Sequence, residues 1–187
     1  MKNRLALIAA GGALALLVPL AACSSGSSSS NATSTTASSG QQVTDAACPF
    51  TGTVGTSSGG KASIPTGVTG LVNTKQGCAD NIQVKTSAGV GAWSIAYATG
   101  PVKDYSGNTI ATQGAATLVL TLTNGVWSGT PAVPTTVSPG QLDYVKSINV
   151  AIGPGNVLMI VFGLSAKKPY QASDSPETPG YISIGIG

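Results

Sequence analysis

The sequence predicts an all-β domain, an antiparallel β-sandwich, that follows a signal peptide and a disordered Ser/Thr/Gly tether. Apolar and polar residues alternate in several short segments, which is the period-two pattern of β-strands. Turn signals rich in Gly and Pro separate these segments, and no window shows the apolar stripe of an amphipathic helix. The composition changes near residue 44 from Ser/Thr-rich sequence to this alternating pattern. One sandwich domain is therefore expected over residues 44–187.

The expected strands each place every second residue on one apolar face. In chain order they are 68–72 (a short first strand), 81–86, 92–98, 117–123, 147–152, 157–164 and 181–186. Segment 157–164 is apolar nearly throughout, which indicates a central strand covered on both faces. The sequence Gly153-Pro154-Gly155-Asn156 is typical of a tight hairpin connection, here between 147–152 and 157–164. Residues 139–144 are long enough for one helical turn at most.

The N-terminus has the three parts of a secretory signal. Lys2 and Arg4 precede an apolar run, Leu5 to Ala22, that ends in small residues. A membrane-spanning helix needs about 20 predominantly apolar residues, and this run is shorter and lacks cations after it. Residues 1–22 are therefore predicted to be a signal peptide, and the protein is predicted to be exported.

The end of the apolar run, Leu20-Ala21-Ala22-Cys23, resembles the lipobox of bacterial lipoproteins. The resemblance implies that the Cys23 thiol receives a diacylglycerol and that cleavage makes Cys23 the mature N-terminus. The alternative is ordinary signal-peptidase cleavage after Ala22. Two acyl chains hold a protein stably on a membrane. The predicted location is thus the extracytoplasmic face of the cell membrane, with the lipid anchor as the contact to the membrane.

Residues 23–43 are predicted to form a flexible tether. Residues 24–42 contain no charged and no aromatic residue, so they cannot bury enough apolar surface to fold. A Ser/Gly-rich chain of this length spans roughly 25 Å between its ends. That distance is enough to lift a small domain off the lipid headgroups.

The composition of the mature chain excludes several function classes. Without Lys2 and Arg4, seven cations face six carboxylates, and no basic stripe favours nucleic acid as a partner. The chain contains no histidine, which excludes Ser-His-Asp and Cys-His catalysis and the common zinc sites. We expect no enzymatic activity, no cofactor and no metal.

Cys48 and Cys78 form an even pair in an oxidising compartment, which indicates a disulfide. It would close a loop of about 30 residues and stabilise the domain by about 3–4 kcal/mol in the chain-entropy model. Two thiols alone are too few for a metal site. Their spacing is also not the Cys-x-x-Cys of redox proteins.

Three segments in order resemble the AMIN-like domain of actinobacterial lipoproteins, a relative of the AMIN module of cell-wall amidases and pilus secretins. They are VTGLVNTKQGCADNIQVKT, YATGPVKDYSGNTIATQGAATLVLTLT and FGLSAKKPYQASDSPETPGYISIGIG. The family's Cys-x-Asp-Arg is Cys78-Ala79-Asp80-Asn81 here, and its arginine in the last strand is also absent. Over about 48–187 the resemblance implies a β-sandwich that binds peptidoglycan or another envelope polymer without catalysis.

The candidate binding residues are the aromatics of loop-like segments, Trp127, Tyr105 and Tyr170, together with Asp80. Aromatic rings could stack on sugars, although Trp127 could equally belong to the core. Asp80 could instead order its loop through backbone hydrogen bonds. Trp93 alternates with Ile95 and Tyr97, which indicates the core. Two functions remain open, a binding module for a cell-wall glycan or peptide and a protein-interaction scaffold that docks an exported envelope enzyme.

Overall fold

A computed structural model describes residues 49–175 and 177–187 of the chain. The predictions for the signal peptide, for Cys23, for the tether and for Cys48 concern residues outside this described part. In the part that is described, no helix is long and apolar enough to cross a bilayer.

Eleven strands make up the described domain. Their bounds are β1 Ser57–Gly59, β2 Thr66–Gln76, β3 Ala79–Thr86, β4 Trp93–Tyr97, β5 Ala116–Leu122, β6 Gly125–Trp127, β7 Thr135–Val137, β8 Val145–Ile152, β9 Leu158–Leu164, β10 Tyr170–Ser175 and β11 Tyr181–Ile186. A six-stranded sheet has the order β1-β4-β5-β9-β8-β7, and a five-stranded sheet has the order β10-β11-β3-β2-β6. All pairings are antiparallel except that β2 pairs with β6 in parallel.

The two sheets pack face to face, which confirms the predicted all-β sandwich. Alternate residues of the strands fill one shared core, for example Ile82 and Val84 of β3 against Leu118 and Leu120 of β5. Trp93 belongs to this core, as its alternation with Ile95 predicts. Burial of these side chains is the main driving force that holds the sheets together.

The prediction for the central strand is also confirmed. All seven residues of β9 are buried, and β9 lies between β5 and β8. Gly153–Asn156 connects β8 to β9 as a hairpin that includes one 3₁₀ turn, Pro154–Asn156. Gly155 has a φ of +75°, a conformation that glycine adopts without steric cost.

Four strands were not predicted, and their composition explains why. β1, β6 and β7 have three residues each, too few to show a period. β10 has the polar sequence YQASDS, in which only Tyr170 is fully buried. The first predicted strand, 68–72, is the middle of β2. The residues of β2 on either side of it are polar or glycine, so the apolar alternation does not extend over the whole strand.

Residues 98–115 connect β4 to β5 and lie over the outer face of the six-stranded sheet. The Tyr105 N–H donates to the Ile152 carbonyl at 2.9 Å, and the Gln113 N–H donates to the Ser147 hydroxyl at 2.9 Å. A methyl group at Gly163 would meet the Gln113 backbone, so this glycine admits the crossing segment. The crossing explains why β9 is buried on both faces, and it places Tyr105 beside β8.

Candidate functional site

The most exposed aromatic side chain among the described residues is Tyr105, at the tip of a short hairpin. We call residues 103–109 the Tyr105 hairpin, because Lys103 and Thr109 pair at its base. The Tyr105 side chain is 69% exposed. A single exposed ring is common on protein surfaces, so its interest here depends on the ordered hairpin that carries it and on the cleft next to that hairpin.

The Asp104 carboxylate holds the Tyr105 hairpin in shape. One carboxylate oxygen accepts from the N–H groups of Ser106 and Asn108 at 2.9 and 2.8 Å. The other accepts from the Asn108 side-chain amide at 3.2 Å. The Asp104 N–H donates to the Asn108 carbonyl at 2.9 Å, and Gly107 turns the chain with a φ of +83°. These bonds fix the position of Tyr105 before any ligand arrives, which lowers the entropic cost of binding.

A cleft of about 270 Å³ lies between this hairpin and strands β7 and β8. We call it the Tyr105 cleft after the hairpin beside it, although the Tyr105 side chain is not itself among the lining residues. Its lining combines short polar and apolar side chains, and its members are Asp104, Thr109, Ile110, Pro134, Thr135, Thr136, Asn149, Val150 and Ala151. The cleft is somewhat smaller than the roughly 300–1,000 Å³ of sites for drug-sized ligands.

Hydrogen bonds also order the floor of the Tyr105 cleft. The Thr136 hydroxyl donates to the Asn149 side-chain carbonyl at 2.9 Å, and the Asn149 amide nitrogen donates to the Ala111 carbonyl at 3.1 Å. Asp104 is the only ionisable side chain among the described lining residues, and both its oxygens already accept hydrogen bonds. The cleft therefore offers hydrogen bonds and apolar contact in place of an acid–base pair.

Asp80 is fully buried at the start of β3 and does not face a ligand. Its carboxylate accepts three backbone N–H groups from the segment that leads into β8, those of Asp143 at 2.8 Å, Tyr144 at 2.7 Å and Val145 at 2.9 Å. Of the two roles that the sequence allows for Asp80, binding or backbone ordering, the structure places it in the second. The segment that Asp80 orders is about 60 residues later in the sequence and is not the loop next to Asp80 in the chain.

Tyr170 is fully buried at the start of β10, so the expectation of a loop aromatic that contacts a ligand is wrong. Its hydroxyl donates to the Ile95 carbonyl at 2.8 Å and also lies against the Gly55 carbonyl. Its ring meets the Tyr97 ring edge to face, with 6.0 Å between the centroids. Burial raises the pKa of Tyr170, against the opposing effect of a backbone hydrogen bond.

Trp127 lies in the short strand β6 and is half-buried against the core. Its indole N–H donates to the Pro131 carbonyl at 2.9 Å, and its ring lies over Gly129, where a methyl group would be 2.7 Å away. The neighbouring Val126 is 60% exposed instead. Of the two placements that the sequence allows for Trp127, core or exposed turn, the structure shows an intermediate one, a ring packed partly on the core and partly on its own loop.

Cys78 lies in the turn between β2 and β3 and is half-buried. Its thiol is not free. The bond to Cys48 stays a prediction, because Cys48 is outside the described residues. No cluster of three or more Cys, Asp and Glu side chains that could hold a metal ion occurs in residues 49–175 and 177–187.

Sequence reasoning missed the exposed Tyr181, the first residue of β11, whose side chain is 39% exposed. Its alternation with Ile182 and Ile184, which are buried, places it on the outer face of the sheet. That signal was present in the sequence, because the apolar face of 181–186 leaves Tyr181 on the opposite side.

The structure brings only one of the four candidate binding residues, Tyr105, into an exposed and ordered site. No protein-family model, curated protein or solved structure matches the chain. The likeness to the AMIN-like domain therefore rests on the three sequence segments alone.

Proposed function

We propose that the protein is a cell-envelope lipoprotein, anchored through Cys23, whose sandwich domain binds peptidoglycan or another cell-wall polymer without chemical turnover. The observation that carries the proposal is the exposed Tyr105 ring, held by Asp104 on a rigid hairpin beside a polar cleft. An aromatic side chain presents a large apolar face at low entropic cost, and short polar groups next to it orient a ligand.

The chemistry of the Tyr105 cleft supports a sugar polymer as the ligand class. Pyranose rings have apolar faces that stack on aromatic rings and hydroxyl edges that exchange hydrogen bonds. Thr109 and Thr135 line the cleft with hydroxyls, and Ile110 adds an apolar wall.

The tether that the sequence predicts over residues 23–43 is compatible with the proposal. A lipid at Cys23 and a flexible link of roughly 25 Å would keep the domain close to the membrane while its binding site reaches the wall. Anchoring and wall binding together would connect the two layers of the envelope.

Sedimentation with purified, protein-free peptidoglycan tests the proposed function. We expect the unlipidated mature chain, carrying Cys23→Ser, to sediment with the polymer in a saturable manner. The alternative is a scaffold that docks an exported enzyme. A scaffold would remain in the supernatant with every wall preparation and would crosslink to one specific protein in cells. That pair of results would overturn the proposed function.

A further inference from the structure

The outer face of the five-stranded sheet carries a second cleft, of about 260 Å³. We call it the Tyr181 cleft. Residues of β2, β3 and the turn before β11 line it, and they are Thr69, Gln83, Lys85, Thr86, Pro179, Gly180 and Tyr181. Nothing in the proposed function uses this surface, since the Tyr105 cleft lies beside the other sheet.

The lining of the Tyr181 cleft contains one cation and no carboxylate. Lys85 is its only ionisable side chain apart from the Tyr181 phenol. Among the described residues, the ion pair within 4.0 Å joins Lys75 to Asp143. Lys85 makes no ion pair with a described carboxylate. The Tyr105 cleft, by contrast, contains a carboxylate and no cation.

Strand register brings the cation and the aromatic ring together. Lys85 and Tyr181 are directly opposite on β3 and β11, and Gln83 is opposite Ser183 one row further along the same face. Directly opposite residues have Cβ atoms about 4.5–5.5 Å apart, and rows on one face are about 6.8 Å apart. An ammonium group, an amide and an aromatic ring thus share one face of a rigid sheet.

An irregularity in β2 shapes the wall of the Tyr181 cleft. Val68 pairs with Thr86 and Gly70 with Lys85, so Thr69 is an extra residue, a β-bulge. The Thr69 hydroxyl turns to donate to the Lys85 carbonyl at 3.3 Å. Bulges often re-aim a side chain next to a functional site.

The turn that carries Tyr181 is held tightly as well. Thr86 N–H donates to the Gly180 carbonyl at 3.0 Å, and Gly180 N–H donates to the Ala88 carbonyl at 3.0 Å. A methyl group at Gly180 would lie 2.9 Å from two backbone oxygens, so only glycine fits there. The cleft is therefore preorganised on both sides.

We infer that the Tyr181 cleft binds an acidic saccharide, a sugar that carries a carboxylate, with its ring on Tyr181 and its carboxylate on Lys85. Charge complementarity argues for this occupant, because an unpaired cation in a cleft without carboxylates favours an anion. The volume suits one ring-sized group, since it lies below the roughly 300–1,000 Å³ of larger ligand sites. Gln83 supplies the hydrogen bonds that orient the sugar.

Calorimetric titration of the mature chain, carrying Cys23→Ser, with a galacturonic acid trisaccharide tests this inference. We expect binding that weakens about tenfold in Lys85→Gln and in Tyr181→Ala, and that also weakens as salt screens the charge. Lys61→Gln, which removes an exposed lysine elsewhere, should leave the affinity unchanged. Circular dichroism of each variant confirms that the sheet remains folded.

Equal affinity for a neutral galactose trisaccharide would contradict the role of Lys85. An acidic trisaccharide that fails to bind, or whose affinity does not depend on Lys85 and Tyr181, would overturn the inference. Each titration is repeated in a chain that also carries Tyr105→Ala, which removes the exposed ring beside the Tyr105 cleft. The effects of Lys85→Gln and Tyr181→Ala in that chain are therefore separated from sugar binding at the Tyr105 cleft.

Discussion

Replacement of Asp80 by alanine should destabilise the sandwich more than any other single change of a carboxylate in the described residues. The Asp80 side chain is fully buried and accepts three backbone N–H groups, from Asp143, Tyr144 and Val145. These bonds connect β3 of one sheet to the segment that enters β8 of the other. Without the carboxylate, three donors lose their partner at the junction of the two sheets.

The magnitude follows from the burial of the three donors. A buried donor without a partner costs about 1–3 kcal/mol, so three sum to about 3–9 kcal/mol. Two effects reduce this sum. The alanine variant no longer buries a charge, and water can reach the N–H groups of Asp143 and Tyr144, whose hydrogen bonds are only partly buried. We therefore expect the lower end, a loss of about 3–4 kcal/mol from a total stability of about 5–15 kcal/mol.

Asp80→Asn should give an intermediate loss of about 1–2 kcal/mol. Its carbonyl oxygen can still accept from Tyr144 and Val145, which share one carboxylate oxygen in the structure. Its amide nitrogen would face the Asp143 N–H, and because both groups are hydrogen-bond donors, that bond would be lost. The matched control is Asp143→Asn, because that carboxylate is half exposed in the surface ion pair with Lys75 and its removal should change stability little.

Urea unfolding of the mature chain, followed by tryptophan fluorescence and by circular dichroism, measures these differences. Coincident transitions from the two probes would establish that unfolding is two-state. A free energy of unfolding for Asp80→Ala within about 1 kcal/mol of the unaltered chain would refute the reasoning, as would a loss no larger than that of Asp143→Asn.

Further predictions concern the buried tyrosine and the cysteines. Tyr170→Phe keeps the ring but removes the hydrogen bond to Ile95, so urea unfolding should show a loss of about 1–2 kcal/mol. Since burial raises the pKa of Tyr170 above its ordinary value of 10.0, the unaltered chain should lose stability as the pH rises above 10.0, and Tyr170→Phe should lose less. Peptide mass spectrometry without reductant should recover Cys48 linked to Cys78, and two alkylated thiols would contradict the pairing. Cys23→Ser should prevent lipidation and leave an unprocessed precursor in cell fractionation, so a variant that stays with the membrane at wild-type size would refute the anchor.

The sequence was sufficient to predict the fold class because the core strands carry their own pattern. Leu118, Leu120 and Leu122 alternate with polar or smaller residues, and all three are fully buried. The hairpin at Gly153–Asn156 follows from local turn chemistry, which is also readable from sequence. Strands of three residues lack any such pattern, so β1, β6 and β7 could be found only from their neighbours in the sheet.

The candidate site was harder to predict because the exposure of a side chain depends on contacts that its local sequence pattern does not show. Tyr170 looks like a loop residue beside Pro169, yet pairing with Thr53 places its ring between the sheets. Trp127 follows a turn signal but is covered by its own loop through the bond to Pro131. Tyr105 does lie in a loop, as its sequence context indicates, since the hairpin around it is built from local Asp, Gly and Asn chemistry.

The affinity of Tyr105→Ala for protein-free peptidoglycan, relative to the unaltered chain, tests the proposed binding role most directly. Loss of an exposed anchor residue should weaken binding about tenfold, and Tyr105→Phe, which keeps the ring, should bind nearly as well as the unaltered chain. Val126→Ala is the matched control, because Val126 is 60% exposed on a different strand and its loss removes apolar surface without touching the Tyr105 cleft. Equal affinities for Tyr105→Ala and the unaltered chain, with both proteins folded, would contradict the account.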